Sequence, residues 1–323
     1  MLPGGPARPS GRGYRSEPTT LGAVRPSRRL LLSLLVVTLA AAACGGGGGE
    51  PGSSPDAEAS TFNEPFTDVE AYPAIVSSEL VVGANRVLIA LFDENDAPIG
   101  SPSIDMHVQF FDLEESTTQP VSEQDARFLW SVKGKLGLWE LTGVEFDSAG
   151  RWGARVGIEG DGLDEELDTS FMVAKEGRTP AIGEPVPASD TPTSDDVSKL
   201  SEITSDDDPD PRFYETSIAE AVNRGLPFVA VFATPRFCTS QVCAPTLDVV
   251  KRVAEDWPKV TFVHVEVYDL SDVSNLEAVP TMAQWGLPSE PWVFVVDAKG
   301  TVTAKYEGSV APRSLQTDLR ALD

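Results

Sequence analysis

The stretch Phe228–Leu247 constrains the fold of this chain more than any other part of the sequence. It begins with an apolar run rich in Val and Phe, which is typical of a buried strand. The run ends at Thr234-Pro235, and a helical pattern resumes after Cys238. Cys238 and Cys243 bracket this break. A cysteine there would lie near the positive end of a helix dipole, which favours the thiolate.

The spacing of the two cysteines restricts how they can pair. In a regular helix, residues five apart have Cα atoms about 8 Å apart, beyond the ~7 Å limit for a disulfide. If the two pair, Cys238 must lie in the loop before the helix, with Thr239 or Ser240 as N-cap and Cys243 in the first turn. Two free thiols and a metal pair are the alternatives, and a disulfide is expected if the protein is exported.

The first 43 residues have the pattern of a secretory signal. Arg25, Arg28 and Arg29 precede an apolar run, Leu30–Ala43, that is too short to span a membrane. The sequence A-A-A-C that ends in Cys44 resembles a bacterial lipobox. This resemblance implies a lipidated Cys44 and an extracytoplasmic protein anchored to the cell membrane. The alternative is cleavage that leaves Cys44 as an ordinary thiol. Residues 44–60, rich in Gly, Ser and Pro, are predicted to be a flexible tether.

The charge of the chain excludes some classes of partner. The full sequence has 25 basic and 50 acidic residues, and residues 1–43 contain six arginines and one glutamate. The remainder therefore carries 19 basic and 49 acidic residues, a net charge of −30. This balance argues against nucleic acid as a partner and against binding of anionic lipid by charge. An acidic, solvated surface is the simplest interpretation.

Residues 61–175 are predicted to form an all-β, immunoglobulin-like sandwich. Short apolar or alternating runs are separated by Gly, Asp and Asn, and no long helical period occurs. The segment Asp147–Trp152 resembles the D-x-A-G-x-Y corner of immunoglobulin-like domains, with Trp152 in the aromatic position. His107 is interpreted as structural, and Trp130, Trp139 and Trp152 as core residues. The alternative for this domain is a docking surface for an envelope partner.

Residues 176–211 are rich in Pro and Asp and have no apolar periodicity. This composition predicts an extended acidic linker between two domains. Ile203 and the Pro-rich start of the segment could still pack onto a domain.

Residues 212–323 give an α-β-α-β-α-β-β-α pattern. A capping box at Ser217 and a terminal Gly225 delimit its first helix. The second helix is predicted from about residue 240 to 256, with a kink at Pro245. The strand Val260–Tyr268 is apolar on both faces, as a central parallel strand must be.

The residues that follow resemble the thioredoxin family, over about a third of the chain. Cys243-Ala244-Pro245-Thr246-Leu247 is similar to the family's active-site helix with its kinking proline. Gln284–Leu287 is similar to the segment before the active-site cis-proline. The resemblance therefore implies a cis-proline at Pro291 that faces the cysteines.

Three positions depart from the thioredoxin pattern. The cysteine spacing is C-x4-C instead of C-x-x-C, Phe237 replaces the family's Trp, and Ala230 replaces its buried Asp. His264 aligns with the lysine that lies beside that Asp. A histidine there could hold or move the thiol proton, and the alternative is a hydrogen-bonded core histidine.

Three functions are compatible with these residues. The resemblance implies thiol–disulfide exchange with an envelope protein, with Cys238 attacking, Cys243 resolving, and Pro291 and His264 completing the site. The second is a binding module in which a disulfide only staples the loop. The third is copper handling of the Sco type, in which a cysteine pair and a histidine bind the metal. We expect no cofactor and no resident metal, and the sequence leaves open whether the protein is an enzyme.

Overall fold

The computed structural model describes residues 61–322, so the predicted signal segment, the tether and Cys44 lie outside the described residues. A short 3-10 turn at Thr61–Asn63 precedes the first strand. Residues 64–174 then contain nine strands, which are β1 (Ala71–Ile75), β2 (Gly83–Asp93), β3 (Pro98–Ile99), β4 (Asp105–Asp112), β5 (Ser122–Asp125), β6 (Arg127–Val132), β7 (Leu136–Phe146), β8 (Gly150–Gly160) and β9 (Leu163–Val173).

These nine strands form two antiparallel sheets. One sheet has the order β1-β2-β7-β6, with β3 paired to β2, and the other has the order β5-β4-β8-β9. The prediction of an all-β region is confirmed, and two sheets around one core are compatible with a sandwich. The sequence pattern missed β1, β3 and β5. The first contains Pro73, and the last is a polar strand that pairs only with β4, so neither shows an apolar alternation.

The core of this region lies between the two sheets and includes two of the three tryptophans. Trp139 and Trp152 are fully buried. The Trp139 indole N–H donates to the carbonyl of Ile104 at 3.1 Å, and the Trp152 indole N–H donates to the carbonyl of Ser148 at 3.1 Å. Burial of an indole requires such a partner. The prediction that Trp130 belongs to the core is wrong, because Trp130 is exposed, with its ring packed edge-on against the ring of Phe128.

The rest of the chain is built around a third sheet. Its strands follow the order β11-β10-β12-β13, with β10 and β11 parallel and the other pairs antiparallel. Its elements in chain order are α1 (Ile218–Arg224), β10 (Phe228–Ala233), α2 (Cys243–Ala254), β11 (Thr261–Glu266), α3 (Pro280–Gln284), β12 (Trp292–Val296), β13 (Val302–Glu307) and α4 (Pro312–Arg320).

This order of helices and strands is the one that the sequence predicts. The capping box at Ser217 is present, and α1 is followed by its C-cap Gly225, whose φ of 62° suits glycine. Every residue of β10 and β12 is buried, because apolar clusters cover both faces of the sheet. Strands covered on both faces are continuous apolar runs.

The acidic segment of residues 176–211 packs along this third sheet. Gly183 and Val186 donate backbone hydrogen bonds to the carbonyls of Val302 and Gly300, at 2.8 and 2.9 Å. The indole N–H of Trp285 donates to the hydroxyl of Ser189 at 3.1 Å. The segment is therefore held by specific hydrogen bonds, and its role as a boundary between two domains stays a prediction.

Candidate thiol site

The two cysteines lie where β10 ends and α2 begins. The Cys238 amide donates to the carbonyl of Thr234 at 3.1 Å, and the Gln241 amide donates to the carbonyl of Cys238 at 3.3 Å. Gln241 has a φ of 61°, in the left-handed region that non-glycine residues seldom adopt. The loop of residues 234–242 thus turns tightly and delivers Cys243 to the first position of the helix.

The start of α2 differs from the prediction in two respects. Val242 is the N-cap, without a side-chain cap, whereas the sequence suggested Thr239 or Ser240. Pro245 consequently occupies the third helical position. The first four N–H groups of a helix have no partner within it, so a proline there removes no hydrogen bond and need not kink the helix. The prediction that Cys238 is in the loop and Cys243 in the first turn is confirmed.

The sulphur atoms differ in exposure. Cys243 is fully buried, Cys238 is partly exposed, and both are free thiols. The two sulphurs and a carboxylate oxygen of Glu290 all lie within 4.8 Å of one another. The Cys238 sulphur also lies 3.1 Å from the hydroxyl of Ser240. An accessible sulphur beside a buried one is therefore the central feature of the site.

The surroundings separate the pKa values of the two thiols. A hydrogen bond from the Cys243 thiol lowers the pKa of Cys238 to about 5, assisted by Ser240 and by the backbone amides of Cys243 and Val242. The same hydrogen bond, together with burial, raises the pKa of Cys243. The two shifts favour the form in which Cys243 holds the proton and Cys238 is a thiolate.

Glu290 is the residue that the sequence analysis missed. It is half-buried and directly precedes Pro291, and the peptide bond between them is cis, as the thioredoxin resemblance implies. Burial raises the pKa of Glu290, and the nearby charges of Cys238 and Glu266 act in the same direction. The only signal in the sequence was an acidic residue next to the expected cis-proline.

His264 is buried and hydrogen-bonded on both ring nitrogens. Its Nδ1 accepts from the Tyr214 hydroxyl at 2.7 Å, and its Nε2–H donates to the carbonyl of Ala233 at 3.1 Å. Burial lowers the pKa of His264, which favours this neutral form. Within residues 61–322, no hydrogen bond joins His264 to either cysteine, so these contacts favour the core-histidine alternative. Its role in proton transfer stays a prediction.

Glu266 is a second acidic group beside the site. It ends β11 and is buried, and its Oε2 accepts from the amide of Ser205 at 2.8 Å. Its Oε1 is buried without a hydrogen-bond partner among the described residues. Glu290 therefore lies beside the two sulphurs, and Glu266 is close enough to Glu290 for its charge to raise the pKa of that carboxyl group.

Comparisons with known proteins add little to this picture. No protein-family model matches the chain, and no curated protein matches it. Among solved structures, MtrC from Shewanella baltica OS185 is similar over 36% of this chain and 24% of its own, at 11% identity and a TM-score of 0.23.

Two further solved structures are similar over about a third of this chain. The bacterial hydrophobin BslA shares 11% identity, with 35% of this chain and 99% of its own covered and a TM-score of 0.20. A conjugative transposon lipoprotein from Bacteroides eggerthii shares 14% identity, with 32% and 96% covered and a TM-score of 0.17. Similarities this weak establish no shared fold.

The helices in the described part of the chain are short. None of them has the length and apolar character needed to span a bilayer.

Proposed function

We propose that this protein is a membrane-tethered, extracytoplasmic thioredoxin-like protein that exchanges disulfides with proteins of the cell envelope through Cys238 and Cys243. The observation that carries the proposal is the arrangement of the two sulphurs. One is partly exposed in a loop, the other is buried at the first residue of a helix, and they lie within 4.8 Å of each other. Exchange needs one accessible nucleophile and one nearby resolving thiol.

The exchange proceeds in two balanced steps. The Cys238 thiolate attacks one sulphur of a partner disulfide, which forms a mixed disulfide and releases the other partner sulphur as a thiolate. That thiolate takes the proton of Cys243. The Cys243 thiolate then attacks the Cys238 sulphur, forms the Cys238–Cys243 disulfide and releases the second partner sulphur, which takes a proton from water. The partner gains two electrons, and the cysteine pair loses two. The reverse sequence oxidises a partner dithiol.

The local structure supports Cys238 as the attacking residue. The helix N-terminus and the Cys243 thiol both stabilise negative charge on Cys238. Cys243 is buried, so a partner disulfide cannot reach it before the mixed disulfide has formed. The chain thereby assigns different steps to the two cysteines.

A thioredoxin-like fold for residues 212–323 is supported by three features. These are the order of helices and strands, the cysteines at the junction of a buried strand and a helix, and the cis bond before Pro291. Pro291 is buried and belongs to the chain segment that carries Glu290, beside the sulphurs. A partner chain would bind against this segment.

A trapping experiment tests the proposal. Cys243→Ser, with Cys44 unchanged so that the protein stays at the membrane, should accumulate mixed disulfides with envelope proteins, because Cys238 can attack but nothing resolves the product. Cys238→Ser is the matched control and should trap none. Adducts are counted on non-reducing gels of envelope extracts.

The competing function, a binding module with a structural disulfide, predicts a different result. It predicts no adduct with either variant, and reduction of the parent protein should then cost about 2 kcal/mol, the entropy of a loop this short. Thermal denaturation of the oxidised and reduced protein measures this loss. That combination would overturn the exchange proposal.

The anchor is part of the proposal and is tested separately. Cys44 follows an apolar segment and three alanines, so its lipidation would hold the protein at the outer face of the membrane. Cys44→Ala should move the protein from the membrane fraction to the soluble fraction. An unchanged distribution would refute the lipid anchor and would leave the exchange proposal intact.

A further inference from the structure

The sulphurs of Cys238 and Cys243 and a carboxylate oxygen of Glu290 form the one cluster of three metal-ligating groups found within residues 61–322. All three atoms lie within 4.8 Å of one another. Around a tetrahedral Zn²⁺, with bonds of about 2.3 Å to sulphur and 2.0–2.2 Å to oxygen, neighbouring ligand atoms are roughly 3.4–3.8 Å apart. Small side-chain movements would bring the three atoms to those separations.

The backbone holds the three ligands from two directions. Cys238 and Cys243 belong to the loop and helix that follow β10, and Glu290 belongs to the loop before β12. β10 and β12 are paired strands, with Phe232 opposite Trp292. Sheet hydrogen bonds therefore fix the two loops beside each other. A site assembled on paired strands is better ordered than one on a single mobile loop.

The charges around the sulphurs favour a cation. Once a cation displaces the proton of Cys243, two thiolates and the Glu290 carboxylate carry three negative charges at the site. Glu266, which is buried and acts on the pKa of Glu290, has one carboxylate oxygen without a hydrogen-bond partner among the described residues. Arg236, the basic residue closest to Cys238 in sequence, bonds Asp207 and is exposed. A divalent ion would offset this repulsion inside a partly buried site.

The donor types indicate which ion fits. Calcium and magnesium require oxygen ligands and would leave the sulphurs unused. Two thiolates and one carboxylate suit Zn²⁺, which accepts both sulphur and oxygen. Three protein ligands leave a fourth position for water.

We propose that the reduced cysteine pair, together with Glu290, binds one Zn²⁺ ion. Both sulphurs would be metal ligands in that state, so the ion would keep the pair reduced and block its reaction with disulfides. The inference goes beyond disulfide exchange and does not rest on it, since binding needs only the three ligands and no partner protein.

The test uses the reduced, metal-free full chain with Cys44→Ala, so that every thiol signal comes from the pair. Co²⁺ is titrated under anaerobic conditions as a spectroscopic substitute for Zn²⁺. We expect a sulphur-to-cobalt charge-transfer band and the visible bands of tetrahedral Co²⁺, saturating at one ion per chain and disappearing when Zn²⁺ is added. Absence of the charge-transfer band, or saturation at one ion per two chains, would overturn the proposal.

A pair of matched variants tests the carboxylate. Glu290→Gln should weaken Zn²⁺ binding by at least about 10–100-fold, the loss typical of removing a residue that only orients a metal ligand, because here a ligand itself is lost. Glu159→Gln removes an exposed carboxylate on β8, in the β region, and should leave the affinity unchanged. Circular dichroism spectra establish that both variants are folded. Equal affinities in the two variants would remove Glu290 from the ligand set and overturn the three-ligand site.

Protection of the thiols provides a readout independent of cobalt. Zn²⁺ should slow the alkylation of Cys238 in the parent protein at ion concentrations that have little effect on Glu290→Gln. Alkylation is followed by mass spectrometry of the modified protein. A rate that does not depend on Zn²⁺ in the parent would contradict the proposal even if disulfide exchange were demonstrated.

Discussion

The β region of residues 61–174 and the third sheet bury their strands in different ways. In β4, buried and outward residues alternate over the first half of the strand, because only one face of its sheet meets the core. In β10, all six residues are buried between two apolar clusters. The first arrangement is typical of antiparallel sheets with one wet face, and the second of sheets covered on both faces.

This difference explains where the candidate thiol site lies. In the β region, successive strands return through short connections, and its buried tryptophans are partnered by backbone carbonyls. In the third sheet, β10 continues into a helix that leads to the parallel strand β11, so the chain must leave the sheet at the end of β10. Sites form at such strand ends because loops there are accessible while the sheet holds them in place. Cys238 and Cys243 occupy this position.

The largest effect on the free energy of unfolding should come from truncating one buried aromatic side chain in each core separately. Phe294 is fully buried on β12, with its ring 4.9 Å from that of Trp285, and Phe294→Ala should cost about 3–5 kcal/mol. It should also speed alkylation of Cys243 in the native state, because β12 supports the thiol site. Chemical denaturation and mass spectrometry measure the two effects.

Phe110→Ala is the matched variant in the β region, where Phe110 packs edge-on against Phe146. It should cost a similar free energy but leave the native-state alkylation rate of Cys243 unchanged. If both variants speeded the alkylation of Cys243 equally, the two cores would be energetically coupled. The thiol site would then not depend on the third sheet alone.

The next effect concerns the contact between the regions. Arg86 on β2 bonds the buried Glu140 and also donates to the carbonyls of Glu307, at 2.7 Å, and Ser309. Arg86→Ala should cost about 3 kcal/mol, because it leaves the Glu140 carboxylate buried and uncompensated. Denaturant titration measures the loss.

The double variant Arg86→Met/Glu140→Leu separates the causes of that loss. Removing both charges should recover much of the stability, since no unpaired charge remains in the interior. If the double variant is as unstable as Arg86→Ala, the hydrogen bonds to Glu307 and Ser309 dominate, and the two regions depend on each other more than their separate cores indicate.

The smallest effect should depend on pH and involves Glu79. Its carboxylate accepts hydrogen bonds from the amide of Arg178, the hydroxyl of Thr179 and the ammonium group of Lys305, at 2.6, 2.6 and 2.9 Å. Burial alone would raise the pKa of Glu79, but the hydrogen bonds from Thr179, Lys305 and Arg178 outweigh it and lower the pKa.

A lowered pKa in the folded state gives stability that is present above the unfolded value of 4.5 and is lost as the pH falls through the folded value. Glu79→Gln should therefore destabilise the protein by about 1–2 kcal/mol at pH 7 and by less at pH 3. Thermal melts at both pH values check this. An equal loss at the two pH values would mean that ionisation of Glu79 contributes nothing to the free energy of unfolding.

Much of the fold followed from local patterns. The alternating strands of the β region, the capping box at Ser217 and the order of elements after residue 211 depend on residues close in sequence. The junction of β10 and α2 was also predicted, since an apolar run and a helical period are both local signals. The start of α2 was misjudged because Thr239 and Ser240 resemble N-caps, while the turn through Gln241 delays the helix to Cys243.

The sequence by itself determined that two cysteines stand at the end of a buried strand and at the start of a helix. Only the tertiary structure decided what surrounds them. Glu290 is 47 positions after Cys243 and reaches the sulphurs because β12 pairs with β10. Both ring nitrogens of His264 are hydrogen-bonded, one to Tyr214 and the other to Ala233, and no local sequence pattern indicates these contacts. Contacts between distant segments depend on how strands pair, and the spacing of residues along the chain does not encode that pairing.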